Sequence, residues 1–349
     1  MALRCELMEH GLSFELDVLY DCCILHHENL GMPVIKKQYN GENLDWKTIF
    51  RIKKEHYLQQ IKKTLPECEG CFYLSEKEVT DYEEYISWIM FNQSKLCNSN
   101  CIYCWDNLSY NLEFYDTLPI IKELIENKYF KKGGLVIFQG GEPTLMKNFD
   151  VLLKLFVEND AEIKINTSGI KYSEEVCNAM LKGNTLVCIS LDSPNKDIYK
   201  KIKLTDKFDA VVENIKKYAA CQNEKSVLKI KYILIHGIND SVENIDEFFE
   251  LVKKLGIKNI VADMELQYLN KNGAKNVSPH ILFLFEYMKR KSKEENIGFE
   301  VFSFAQHVLK DCVANVNEQI FSDKKLLTET VNSLREQNIS KNVSYQKCL

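Results

Sequence analysis

Between residues 84 and 270 the chain alternates short strand-like runs with amphipathic stretches, and this alternation constrains the fold more than any other feature. Strand-like segments fall at 85–91, 135–138, 161–166, 186–191, 227–235 and 257–261. The stretches 118–127, 149–158, 173–181, 208–220 and 242–255 lie between them and carry apolar residues at helical spacing. In one of these, Phe208, Val211, Val212, Ile215 and Tyr218 share a single helical face. Strands that alternate with helices build βα units around a parallel sheet. Six such units predict an α/β fold and fit a partial (β/α)6 barrel.

A length of 349 residues suggests roughly two domains or one larger α/β barrel. The expected division is a Cys-rich module over 1–80, the barrel over 81–275, and a C-terminal strand and helical extension over 276–349. The first 80 residues show few clear strands but carry Cys5, Cys22, Cys23, Cys68 and Cys71 with His10, His26, His27 and His56. The last part has a strand-like run at 299–304 and then a helical pattern.

Lys and Arg number 45 against 50 Asp and Glu, and the net charge of -5 gives no reason to expect bulk nucleic-acid binding. No apolar run reaches the ~18 residues that span a bilayer, so no membrane is expected. The first residues lack the apolar stretch of a secretory signal. The chain reads as cytoplasmic. There, 13 cysteines point to metal binding or catalysis rather than to a disulfide framework. Cys177, Cys188, Cys221, Cys312 and Cys348 are scattered and read as small buried hydrophobes.

Cys97-Asn98-Ser99-Asn100-Cys101-Ile102-Tyr103-Cys104 follows the first strand. Three thiolates on so short a loop would hold three irons of a four-iron cluster and leave the fourth open. Structural zinc prefers paired knuckles with four ligands, and no fourth ligand is near in sequence. Further landmarks follow later strands. Gly140-Gly141-Glu142-Pro143-Thr144 allows close backbone approach and offers acceptors to an amino group. Asn166-Thr167-Ser168-Gly169, Ser190-Leu191-Asp192-Ser193, Ile238-Asn239-Asp240 and Ala262-Asp263-Met264 come next. All lie at C-terminal strand ends, where α/β barrels place their chemistry.

Over about residues 84–270 this set resembles the radical S-adenosylmethionine (SAM) superfamily. The resemblance implies the TIM-like form of the partial (β/α)6 barrel and a 4Fe–4S cluster on Cys97, Cys101 and Cys104. It implies that Gly140, Gly141, Glu142 and Pro143 meet the amino group of SAM. Asn166 and Ser168 correspond to the segment after the third strand, and Ser190 and Asp192 are expected to reach SAM. Asn239 falls after the fifth strand, and Asp263 and Met264 line the expected adenine pocket. The family often has an Arg soon after the fourth strand. Here residues 199–203 read Tyr-Lys-Lys-Ile-Lys, and Lys201 is the expected substitute, a point charge rather than a fork. The implied activity is reductive cleavage of SAM to a 5'-deoxyadenosyl radical that takes a hydrogen from substrate. Its electron would come from a reductant such as flavodoxin or ferredoxin.

Cys68-Glu69-Gly70-Cys71 is a second knuckle, open to zinc, redox or cluster readings. Residues 14–23 read as a hairpin ending in Cys22-Cys23. Together they are similar to SPASM and twitch modules, although those usually follow the barrel. This likeness implies an auxiliary 4Fe–4S cluster on Cys5, Cys22 or Cys23, Cys68 and Cys71. Cys312 is a candidate hydrogen-atom donor. The expected function is modification of a ribosomally made peptide by crosslinking, thioether formation or epimerisation. The alternative is the same chemistry on a small molecule such as a sugar, nucleotide or amino-acid derivative. A non-catalytic zinc- or cluster-binding interaction protein is the reading from another class.

Overall fold

The computed structural model describes residues 2–16, 18–22, 34–36, 44–68, 71, 73–92, 94–104, 115–265 and 278–302. Cys23 and Cys312 lie outside the described residues, as does the C-terminal extension beyond residue 302.

The first part holds strands β1 (Ala2–Arg4), β2 (Gly11–Glu15), β3 (Leu19–Tyr20), β4 (Val34–Lys36) and β5 (Ser75–Lys77), with helices α1 (Glu6–His10) and α2 (Trp46–Ile61). There follow β6 (Ile86–Asn92), β7 (Phe130–Phe138), β8 (Glu162–Thr167), β9 (Asn184–Ser190), β10 (Val227–Leu234), β11 (Asn259–Met264) and β12 (Gly298–Val301). Between them lie α3 (Leu118–Glu126), α4 (Phe149–Glu158), α5 (Glu174–Lys182), α6 (Lys196–Lys203), α7 (Phe208–Ala219), α8 (Val242–Lys254) and α9 (Pro279–Glu294). Helix starts are set by side-chain caps: Ser173 caps α5, Asn195 caps α6 and Ser241 caps α8.

One sheet runs β12-β11-β10-β9-β8-β7-β6-β2-β3-β4, and all neighbours from β12 to β2 pair in parallel. Each of the six expected strands is present, and β12 adds a further βα step. The helix-facing side is apolar at alternate positions: Ile163 and Ile165 on β8, Val187 and Ile189 on β9, Leu228 and Ile230 on β10 are all buried in one core. The opposite face is concave. Lys164 on β8 has its Nζ 5.8 Å from the ring of Phe302, just past β12. Four strand spacings in a flat sheet would separate them by roughly 19 Å, so the sheet curls into a partial barrel with a lumen.

The expected boundary at residue 80 is crossed by this sheet. β2 extends it beyond β6, in the register Leu12↔Ile89 and Glu15↔Asn92. Leu12 and Phe14 enter the same core, and Phe14 stacks on Phe91 with centroids 5.3 Å apart. β2 and β3 form the expected hairpin, with Phe14 opposite Leu19. The few strands expected in this part understate it, because β2 has 5 residues and β3 has 2.

A second difference concerns two scattered cysteines. Cys177 on α5 and Cys221 just past α7 form a disulfide, with Cα atoms 5.7 Å apart. They are 44 residues apart in sequence, and only the stacking of successive βα units brings them together. Among the described residues, no helix is long and apolar enough to cross a membrane.

Candidate active site

The cysteine loop is pinned on two sides. On one, Glu142 N–H donates to Leu96 O at 2.8 Å. On the other, Asn100 N–H donates to Lys203 O at 3.0 Å and Ile102 N–H to Ile202 O at 2.9 Å, at the end of α6. The two glycines make the first contact possible. A Cβ on Gly141 would sit 2.5 Å from Leu96 O, and one on Gly140 would sit 1.7 Å from Asn92 Oδ1. Both also hold positive φ, +53° and +79°. Inside the loop, the Ser99 hydroxyl lies 3.5 Å from Cys97 Sγ and 3.6 Å from Cys101 Sγ. Burial pushes the Cys97 thiol up from its ordinary pKa.

Glu142 is fully buried and its carboxylate is saturated. Oε1 accepts from Thr144 N–H at 3.2 Å, Thr144 Oγ1 at 2.6 Å and Thr167 Oγ1 at 2.7 Å. Oε2 accepts from Ser168 N–H at 2.7 Å, and the Ser168 hydroxyl lies 2.7 Å away. That hydroxyl is also 2.9 Å from Asn98 Oδ1. Glu142 therefore ties the end of β8 to the Gly-Gly turn. Pro143 is buried as the first residue of the short 3-10 turn Pro143–Leu145 that follows.

Asp192, at positive φ after β9, organises the other side. Its Oδ1 accepts from Ile233 N–H at 2.9 Å, and its Oδ2 accepts from Tyr103 OH at 2.7 Å. Lys203 Nζ is 2.5 Å from the same Oδ2 and donates to Tyr103 OH at 2.6 Å. Burial pulls the Lys203 ammonium down, but Asp192 and Cys101 outweigh it and hold its pKa above the ordinary lysine value. Lys201, the expected cation, is exposed on α6. Helical spacing turns Tyr199, Ile202 and Lys203 inward and leaves Lys201 outside. Asn239 is saturated by backbone: Nδ2 donates to Asp192 O and Ile233 O, both at 2.7 Å, and Oδ1 accepts from Ile235 N–H at 2.7 Å. It fixes Asp192 rather than presenting a free amide.

Asn166 and Ser190 are half-buried on the concave face, and Asn166 Nδ2 donates to Gln139 Oε1 at 3.1 Å. Asp263 faces the lumen and pairs with Lys231 at 2.9 Å. Met264, the next residue, turns the other way into the core beneath the helices. Sequence reasoning passed over Lys203, Ser99 and the Tyr103 hydroxyl. The signal for Lys203 was present in the spacing of α6.

The N-terminal cysteines also gather. Cys5 and Cys22 are buried, and Cys68 and Cys71 are half-buried. Burial pushes the Cys5 thiol up to about 12, and Cys22 and Cys71 add to the shift through their charge. Gln60 spans the group: its Oε1 accepts from Cys5 N–H at 3.0 Å and its Nε2 lies 3.5 Å from Cys68 Sγ. Beside Cys22, the buried Asp21 contacts Lys53 Nζ and lies 2.8 Å from His56 Nδ1. Among the described residues, no three His, Cys, Asp or Glu side chains could hold a single metal ion. Ligands of a four-iron cluster bind separate irons and stand wider apart.

Residues 92–252 match the family model of the Radical SAM superfamily. The chain carries a radical SAM domain. Radical SAM domains use a 4Fe–4S cluster and SAM, and three thiols on one anchored loop fit the cluster. The chain is 26% identical over 189 residues to GTP 3',8-cyclase of Nautilia profundicola, covering 51% of this chain and 56% of that one. It is 27% identical over 179 residues to GTP 3',8-cyclase of Clostridium botulinum, covering 49% and 54%. The chain thus spans about half the length of these curated relatives. In fold it is similar to Streptococcus suis SuiB bound to S-adenosylmethionine, with a TM-score of 0.50 at 15% identity, over 71% of this chain and 55% of that one.

Proposed function

We propose that this protein is a radical SAM enzyme that takes a hydrogen atom from a substrate held in the barrel lumen. The observation that supports the reading best is the convergence of strand ends on the cysteine loop, through Glu142, Ser168 and Asp192. A reduced 4Fe–4S cluster, when bound, supplies the electron that cleaves SAM to methionine and a 5'-deoxyadenosyl radical. The chain's own residues do the rest. Cys97, Cys101 and Cys104 hold the cluster, and Lys203 sets a positive charge beside the thiols. Asn166 and Ser190 present polar groups at the lumen mouth, and the lumen keeps water from the reacting atoms.

Of the two substrate classes expected, we favour a small molecule over a ribosomally made peptide. Relatives named GTP 3',8-cyclase support that choice, as does a lumen lined with lysines on β8 and β10. We further propose that Cys5, Cys22, Cys68 and Cys71 hold an auxiliary 4Fe–4S cluster. Their mutual approach and the Gln60 link support it.

The test is anaerobic reconstitution, an iron count and a search for 5'-deoxyadenosine after reduction. The reading requires 5'-deoxyadenosine from the unaltered protein and none from Cys97→Ala. Protein that binds zinc and leaves SAM intact would end it.

A further inference from the structure

The lumen holds a charge arrangement that the cysteine loop does not use. Strands present alternate side chains to the concave face. On β8 that face carries Lys164, on β9 Cys188, and on β10 Lys229 and Lys231. The sheet register sets Lys229 beside Cys188 and Lys231 beside Ser190. Lys164 precedes Asn166 by two positions and Cys188 precedes Ser190 by two. Lys164 thus stands about 7 Å deeper than Asn166 and Lys229 about 7 Å deeper than Ser190, while Lys231 stands level with Ser190.

The curl of the sheet brings these lysines together. Lys231 Nζ lies 4.3 Å from the centre of the Phe302 ring and Lys164 Nζ lies 5.8 Å from the same ring. Two of the ammonium groups have carboxylate partners within the protein. Lys231 pairs with Asp263 at 2.9 Å, and Lys229 pairs with Glu300. Lys164 has none among the described residues. Glu162, earlier on the same face, is exposed at the outer end of β8 and forms no ion pair there. Burial, with Lys229 and Lys231 adding to it and Cys188 and Glu300 opposing it, holds the Lys164 ammonium below its ordinary range. A half-buried ammonium that forms no ion pair while the nearby carboxylates Asp263 and Glu300 pair with other lysines is costly unless something arrives to pair with it.

We propose that this chamber is an anion-binding subsite, centred on Lys164 with Lys229 and Lys231 beside it, that seats a phosphate or carboxylate group of the substrate. The inference rests on reading the lumen as the substrate chamber. Lysine suits such a site as a point charge with three rotatable donors. Lys229 and Lys231 each spend one donor direction on a carboxylate and keep others for a ligand. Partly apolar walls from Ile137, Leu186 and Phe302 suit the uncharged body of a small molecule. Seated there, the anion would anchor one end of the substrate and leave the rest directed up toward Asn166 and Ser190.

The test is calorimetric titration of the reconstituted protein with inorganic pyrophosphate, and in a parallel arm with malonate. Saturable binding of either anion near one per chain is expected. Lys164→Met should raise its Kd at least about tenfold, while Lys164→Arg should keep it within a few-fold. Lys254→Met, on the outer surface at the end of α8, should leave it unchanged. Stronger pyrophosphate binding assigns a phosphorylated substrate, and stronger malonate binding a carboxylated one; both support the subsite. No saturable binding, or equal binding by Lys164→Met with an unchanged melting temperature, overturns it. SAM cleavage is measured on the same preparation. Cleavage without anion binding removes the subsite alone. Anion binding without cleavage keeps the subsite and removes the enzymatic reading.

Discussion

Tyr103, the residue before the third loop cysteine, donates its hydroxyl to Asp192 at the end of β9, 2.7 Å away. This bond joins the cluster loop to the strand end across 89 positions of sequence. Asp192 is fully buried, Tyr103 is half-buried, and the buried Lys203 completes the trio. Tyr103→Phe leaves Asp192 and Lys203 without the hydroxyl between them. It should destabilise the iron-free protein by about 1–3 kcal/mol, read by denaturant unfolding. It should also lower the iron retained after reconstitution. An unchanged midpoint would show that the Asp192–Lys203 pair alone holds the loop.

Glu142→Gln tests the saturated clamp. The amide would turn an NH2 group toward donors from Thr144 or Ser168, where only an acceptor fits. A loss of about 2–3 kcal/mol is expected. Glu142→Asp keeps the charge but shortens the reach, so it should fall between the two. A Gln variant as stable as the original would mean that the carboxylate is not the acceptor of these bonds.

The glycines offer a graded comparison. Gly141→Ala meets both positive φ and a carbonyl 2.5 Å from the new Cβ. Gly133→Ala meets positive φ alone, with nothing within 4 Å. The second should cost about 1 kcal/mol. The first should cost clearly more and reduce iron loading as the Leu96 segment is pushed away. Equal effects in melting and iron content would remove the close-approach argument.

The N-terminal cysteines predict a separable iron count. Reconstituted protein should hold about eight irons, and Cys68→Ala about four, while 5'-deoxyadenosine still forms on reduction. Iron analysis and electron paramagnetic resonance of the reduced variants check this. An unchanged iron content in Cys68→Ala would dismiss the auxiliary cluster.

His10 gives a pH signature. Its ring stacks on Tyr85 with centroids 3.8 Å apart, and burial lowers its pKa despite the Tyr85 carbonyl. The unfolded chain then binds a proton more readily than the folded one. Stability from this group is present above the ordinary histidine value of about 6.5 and falls as pH drops through it. Below the folded pKa the loss levels off. His10→Gln should flatten that part of the stability–pH curve, measured by urea unfolding between pH 7 and the acid limb. A slope that persists unchanged would assign it to other groups.

The barrel strands were legible in the sequence because each helix-facing row is apolar at every second position, as in 161–166 and 227–235. The cysteine loop and the Gly-Gly turn were legible because their chemistry is local. Three things were not. Lysines alternating with apolar residues on β8 and β10 look like a solvated face, since sequence periodicity cannot tell lumen from solvent. Asn239 reads as a ligand-facing polar residue, yet its amide is consumed by the backbone around Asp192. The placement of β2 depends on a pairing across more than 70 residues, with only five residues of pattern to announce it.

That pairing has a mechanical consequence. Asn92 Nδ2 donates to Glu15 Oε2 at 2.6 Å, and Asn92 Oδ1 occupies the space where Gly140 lacks a side chain. A displacement of the hairpin that ends at Cys22 is thus passed through Glu15 and Asn92 to the Gly-Gly turn. The N-terminal segment and the Gly-Gly turn form one lever, so a change in the packing of the first should shift the geometry of the second without any long-range relay.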